Sequence, residues 1–297
     1  MASNLSRERL LFYAAAGGLG GFGAWGASEP FAYLNGKILG VGAVWYHDII
    51  LGALAGLFIA AFLASIEALS VSQWRQVISG ARAGAAIGAV GGAVGLLVAE
   101  ITFDLVGGFL GRMLGWAVLG VLVGLGVGWA TRSLARLRNG AVGGLLGGAA
   151  GGMCYQTLTA AFPQAFGRAI ALILIGALIG FFIGLVAELL KRGWLMVVRS
   201  QSRNVREGRE YPLDKPVMSI GRAEENDIGL FGDQSVQTRH ALIRREGKHY
   251  FVSPAGGAKV LVNRQPIQGP QSLKSGDRVE VGGTLLLFRE RTQTTRA

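Results

Sequence analysis

Arg222 stands directly after Gly221, and Gln237-Thr238-Arg239-His240 follows some fifteen residues later. A guanidinium next to a turn-forming glycine can grip a phosphate or carboxylate through two parallel N–H bonds. Gln237 adds an amide donor, Thr238 a hydroxyl, and Arg239 and Lys259 further positive charge. Such groups bind anions; nothing among them breaks a bond. There is no Gly-x-Ser-x-Gly, no Gly-x-x-x-x-Gly-Lys-Ser/Thr loop and no kinase signature, and the three histidines are too scattered for a triad or a metal cage. The chain reads as a binding protein and not an enzyme, with no cofactor or metal.

More markers keep a fixed order around these residues: Asn226-Asp227-Ile228, His240-Ala241, Val262-Asn263 and Gly276-Asp277. With Gly221-Arg222 at their head, they resemble the forkhead-associated (FHA) domain over roughly the last third of the chain. That resemblance implies a β-sandwich whose loops at one end bind phosphothreonine peptides. By position it implies that Arg222 contacts phosphate, that His240 braces the loops from beneath, and that Gly221 and Asn263 support the site. Gln237, Thr238, Arg239, Ala258 and Lys259 fall at the peptide-facing positions.

Two places depart from the family pattern. Gln237 stands where the family has Ser, and Ala258, Lys259 and Val260 stand where it has Asn-Gly-Thr. A lost hydrogen bond to a charged group costs about 1.5–3 kcal/mol, one to two decades of affinity. A shift of one residue would bring Gly256-Gly257 into the peptide-holding turn. The implied partner is thus a cytoplasmic protein, either phosphorylated on Thr or engaged without phosphate, with self-association into a homo-oligomer also open.

The elements that must hold these residues are short. Residues 194–199, 217–220, 228–231, 239–244, 249–253, 259–262, 277–281 and 284–289 alternate or cluster apolar side chains between Gly, Pro and Asp turns, the pattern of an all-β sandwich. Leu242, Tyr250, Val252, Val279, Val281 and Leu287 are the expected core.

Everything before that is different. Residues 1–190 carry ten Lys/Arg and seven Asp/Glu, against nineteen and eleven in residues 191–297, and the chain as a whole holds 48 glycines. A domain at 1–192 that is nearly free of charge and a soluble one at 193–297 follow. Apolar stretches at 10–27, 49–71, 78–103, 110–131, 140–161 and 170–190 each have the length of a membrane-spanning helix. The expected fold class is therefore an all-α transmembrane bundle followed by an all-β sandwich. For the first stretch a signal peptide competes, but its glycines match those of two later stretches, which favours a retained helix.

Glycines recur every fourth residue, as in Gly84/Gly88/Gly92, Gly120/Gly124/Gly128 and Gly176/Gly180/Gly184, and odd stretches resemble odd ones, even ones even. The unit is a helical hairpin of about sixty residues, present three times. In lipid such small-residue stripes let two backbones touch, a glycine zipper.

Ionisable residues in these stretches are few. Glu67 and Glu188 sit near predicted cytoplasmic ends, while Glu100 and Asp104 share the other end of the third helix with Arg112 beyond the turn, an interfacial cluster. Residues 35–48, with Trp45, Tyr46 and His47, read as an external loop with an aromatic belt.

Arg7, Arg9, Arg75, Arg82, Arg132, Arg136, Arg138, Lys191, Arg192 and Arg199 lie on one side, against Lys37, Arg112 and Arg168 on the other. The positive-inside rule then places both termini in the cytoplasm, on a multipass protein of the cytoplasmic (inner) membrane. The net charge of +11 is spread without a run or aromatic platform, so membrane lipid and not nucleic acid is the expected anionic neighbour. Cys154 has no partner and reads as a packing residue. Two functions from different classes remain: a membrane-anchored interaction or scaffold protein used in signalling, and a transporter or channel with a regulatory sandwich.

Overall fold

The computed structural model describes residues 2–38, 44–69, 74–131, 133–202 and 205–291. The expectations for Asn35, Lys37, Trp45, Glu67 and Arg132 concern side chains outside those described. The chain divides into two compact units, a helical one comprising residues up to 69 and 77–190, and a β unit from Lys191 onward to which residues 74–76 also belong.

Six helices build the first unit: α1 (Ala2–Ile38), α2 (Val44–Leu69), α3 (Trp74–Val106), α4 (Gly108–Ala130), α5 (Leu134–Ala161) and α6 (Gln164–Leu190). Each starts earlier than its apolar run, because a helix goes on satisfying its own backbone through polar first turns. His47 and Asp48 consequently lie on the first turns of α2 and not in a loop, a correction to the reading of residues 35–48. Among the described residues, four helices are long and apolar enough to cross a membrane: Tyr46–Ile66, Trp74–Val106, Gly108–Ala130 and Gln164–Leu190.

Glycine decides how these helices meet. Neighbours in sequence are neighbours in space, α6 returns to α1, and α2, α4 and α6 also touch one another. A Cβ built on Gly88 would lie 2.2 Å from the carbonyl oxygen of Gly56, one on Gly148 2.2 Å from that of Trp116, and one on Gly17 2.0 Å from that of Gly176. Positions 56, 116 and 176 are sixty apart, so the contact between an even helix and the next odd one is made three times, with α6 and α1 making it across the chain's ends. Two ion pairs join α1 to α6, Arg168 to Glu29 at 2.7 Å and Arg9 to Glu188 at 3.7 Å.

The second unit is a sandwich of eleven strands: β1 (Gly193–Arg199), β2 (Glu210–Pro212), β3 (Val217–Gly221), β4 (Ile228–Gly229), β5 (Ala241–Glu246), β6 (His249–Pro254), β7 (Val260–Val262), β8 (Gln265–Ile267), β9 (Gln271–Leu273), β10 (Arg278–Val281) and β11 (Thr284–Glu290). One sheet runs β2-β1-β11-β10-β7-β8 and the other β4-β3-β5-β6-β9. Leu195, Ile220, Ile228, Tyr250, Val252, Val260, Val279, Val281 and Phe288 fill the space between them.

Two expected core residues are misplaced. Leu242 and Leu287 are only half-buried, while Ala241, Ile243, Leu286 and Phe288 point inward. A strand's faces alternate with period two, and where apolar residues run consecutively only the pairing chooses the face. Here Ala241 pairs with the fully buried Ile220.

Register also gathers the loops. Ile220 pairs with Ala241, Ala241 with Pro254, and Val260 with Val281. The ends of β3 and β6 and the starts of β5 and β7 therefore lie at one end of the sandwich, with the β10–β11 turn beside them.

Candidate functional site

Three loops meet at that end: 222–227 after β3, 230–240 before β5 and 255–259 before β7. The strand expected at 239–244 begins at Ala241, which leaves Arg239 and His240 in the loop. Lys259 likewise precedes β7.

Gly221 makes the first two loops touch. A Cβ there would fall 2.3 Å from the Thr238 carbonyl oxygen and 2.9 Å from the Arg239 Cα. Across this gap Arg222 N–H donates to the Gln237 carbonyl at 2.9 Å, Ala223 N–H to that of Thr238 at 3.2 Å, and His240 N–H to that of Ile220 at 2.8 Å. The buried Asn226 side chain donates to the carbonyls of Ala223 (2.9 Å) and Thr238 (2.7 Å), a second tie between the same two loops.

His240 secures the third. Its ring is buried; Nδ1 accepts from Gln237 N–H at 3.1 Å, which leaves the proton on Nε2 to donate to the Lys259 carbonyl at 2.9 Å. One imidazole thus ties both loops.

On this support the side chains of Arg222, Gln237, Thr238, Arg239 and Lys259 are all exposed. Among the described residues no carboxylate engages the Arg222 guanidinium. Among the described residues Arg222, Arg239 and Lys259 thus enter no ion pair at this rim, while of the acids in the same loops Glu224 and Glu225 pair with Arg75, Asp227 with Lys215, and Asp233 is buried.

Two residues depart from their expected places. Ala258 is buried and turned into the sandwich, so it offers nothing to a ligand. Its exposed neighbours Gly256 (φ 59°) and Gly257 (φ 75°) form the rim there, a left-handed pair that suits glycine, and a Cβ on Gly256 would lie 3.5 Å from Gln237 Oε1. Asn263 sits at the opposite end of β7 in the two-residue turn to β8, where it donates to Asp277 at 2.8 Å and accepts from Arg278 N–H at 2.9 Å. It supports that turn and not the loop end.

Asp233 is a brace the sequence reading missed. Its Oδ1 accepts from Ser235 N–H (3.0 Å) and the Ser235 hydroxyl, and Oδ2 from Gly283 N–H in the β10–β11 turn (2.9 Å). Asp-x-Ser is a local turn signal, but nothing local announces Gly283, fifty residues on. Burial alone would raise the Asp233 carboxyl, but these hydrogen bonds to its charged form outweigh it and hold the group below the usual carboxylate range. A depressed folded-state value means stability that is present above the unfolded carboxylate range and is lost as pH falls through the folded value. Asp233→Asn should lower the melting temperature at neutral pH and flatten the acid limb of a melting-temperature-against-pH curve.

The FHA domain model matches residues 218–282. An oxoglutarate dehydrogenase inhibitor of Corynebacterium efficiens is 36% identical over 103 residues, 34% of this chain and 70% of that protein. The glycogen accumulation regulator GarA of Mycolicibacterium smegmatis is 37% identical over 95 residues, 32% of this chain and 57% of that protein. The chain spans less than two thirds of the length of most of the curated relatives it matches. A solved FHA domain, that of FhaA complexed with the intracellular domain of Rv3910, is 26% identical, with 33% of this chain and 99% of that one covered at a TM-score of 0.29.

Proposed function

We propose that this chain, which belongs through its C-terminal third to the FHA-domain family, is a membrane-anchored docking protein whose loop end takes a phosphothreonine-bearing segment of a cytoplasmic protein. The observation that carries this reading is the free Arg222 guanidinium on a rim tied from below by His240 and Asn226. Arg222, Arg239 and Lys259 supply positive charge, and Gln237 and Thr238 supply donors in place of the missing Ser. The turn at Gly256-Gly257 takes the place of the Asn-Gly that would hold the peptide backbone. The helical unit anchors this module, with both termini on the cytoplasmic side by the distribution of Lys and Arg.

The test is a fluorescence-anisotropy titration of full-length protein in lipid nanodiscs against a degenerate peptide library prepared with phosphothreonine, phosphoserine or unmodified threonine. Saturable binding restricted to phosphothreonine supports the reading. Equal binding of the unmodified library would assign the loops to a phosphate-independent partner.

A further inference from the structure

α3 opens with Trp74-Arg75-Gln76, three residues that group with the β unit. The first turn of a helix leaves backbone N–H groups without a partner inside the helix, and a carboxylate is an acceptor well suited to them. Here Glu224, in the loop after β3, supplies it: Arg75 N–H donates to Glu224 Oε1 at 2.8 Å. The return bonds come from the next side chain. Gln76 Nε2 donates to the backbone carbonyl of Glu224 at 2.8 Å and to that of Asn226 at 3.2 Å. The loop caps the helix and the helix side chain caps the loop, between partners 148 to 150 residues apart in sequence.

That loop is the one that begins with Arg222. Its inner side is tied within the sandwich: the N–H groups of Arg222 and Ala223 donate to the 230–240 loop, the Asn226 side chain donates to Ala223 and Thr238, and Asp227 accepts from Ser219 N–H at 2.8 Å and Lys215 Nζ at 2.6 Å. Gln76 adds a tie to the carbonyls at 224 and 226, two acceptors facing one amide. The ion pairs of Arg75 with Glu224 at 3.9 Å and Glu225 at 3.3 Å add less, because the Arg75 side chain is 79% exposed and water screens such pairs.

Building on the docking function above, we propose that Gln76 is a positioning residue of the binding end: its amide fixes the loop that carries Arg222, and occupancy at Arg222 is linked to this clasp. A loop that moves must be ordered when a partner docks, and bonds that order it beforehand remove that cost. The linkage is reciprocal, so a bound partner favours the closed clasp by the factor by which the clasp favours binding. The chemistry also sets what can serve at position 76. Both acceptors are carbonyl oxygens, so a donor is needed; Lys can donate to them, Ala cannot, and Glu sets an acceptor against two acceptors.

The test uses the full chain in lipid nanodiscs with the degenerate phosphothreonine library as probe. Affinity is read by fluorescence anisotropy, and hydrogen–deuterium exchange is followed in residues 74–80 and 222–227. The wild type should bind, and binding should slow exchange in both segments. Gln76→Ala should raise the Kd roughly five- to tenfold, about the worth of one hydrogen bond, and abolish the slowing at 74–80. Gln76→Glu should lose more, and Gln76→Lys should recover most of the affinity. Gln265→Ala, an exposed position on β8, should change nothing. Glu224→Ala, which removes the other half of the clasp, should raise the Kd as well and decides the matter if Gln76→Ala does not fold. Wild-type affinity in the folded Gln76→Ala and Glu224→Ala variants, or equal losses in Gln76→Ala and Gln76→Lys, would overturn the clasp and leave the docking function standing. A wild type that binds no phosphothreonine would overturn both.

Discussion

Arg222→Ala should weaken binding of a phosphothreonine peptide by one to two decades while leaving the melting temperature unchanged. The size follows from the bond: a charge-assisted hydrogen bond contributes about 1.5–3 kcal/mol, and each 1.4 kcal/mol is a factor of ten. The selectivity follows from the structure. Among the described residues only the Arg222 backbone N–H is tied, to Gln237, so truncating the exposed side chain should remove the proposed ligand contact and no brace. Arg222→Lys should recover part of the loss, because an ammonium keeps the charge but not the bidentate geometry. Isothermal titration calorimetry of the nanodisc-embedded chain checks both, and unchanged affinity in Arg222→Ala would remove the basis of the docking function. Gly221→Ala is the contrasting case. Its added methyl runs into the Thr238 backbone, so it should disturb the 230–240 loop as well as the affinity.

The second large effect lies in the helices. Gly120→Val should prevent the helical unit from packing, with a cost of about 3 kcal/mol or more at this contact. A Cβ on Gly120 would lie 2.1 Å from the Gly144 carbonyl oxygen, and one on Gly144 1.9 Å from that of Gly120. Both obstacles are backbone within regular helices, so no rotamer relieves them and α4 must leave α5. Gly26→Ala is the internal control. Nothing lies within 4 Å of its Cβ position, and α1 continues through it, so alanine should stabilise the helix by roughly 0.5–1 kcal/mol. Size-exclusion profiles and thermal melts in detergent should show the first variant aggregated or broadened and the second at least as stable as wild type. Equal behaviour of the two would mean that Gly120 is not a point of close backbone contact.

Legibility in the sequence tracked the range of the interaction involved. The six helices could be placed because a long apolar run and a glycine at every fourth position are local signals. The main strands could be placed for the same reason, whereas β2, β8 and β9 are three residues each and carry no periodicity to detect. Leu242 and Leu287 went to the wrong face because each has an apolar neighbour, and alternation cannot choose within such a pair. Ala258 falls at a binding position of the family pattern, but it follows the left-handed turn at Gly256-Gly257 and is buried.

By itself, then, the order of residues determined a helical part nearly free of charge, a β-sandwich after it and the family of that sandwich, and it singled out Arg222 as the arginine to test. All of these rest on composition, period or a motif read within a few residues. Tertiary structure alone decided what depends on chain segments meeting: the His240 brace across Gln237 and Lys259, and the Asp233 tie to Gly283. A side chain's charge can be read from its name, but whether it faces a partner, a rival or water is set by packing, and packing is a property of the whole unit.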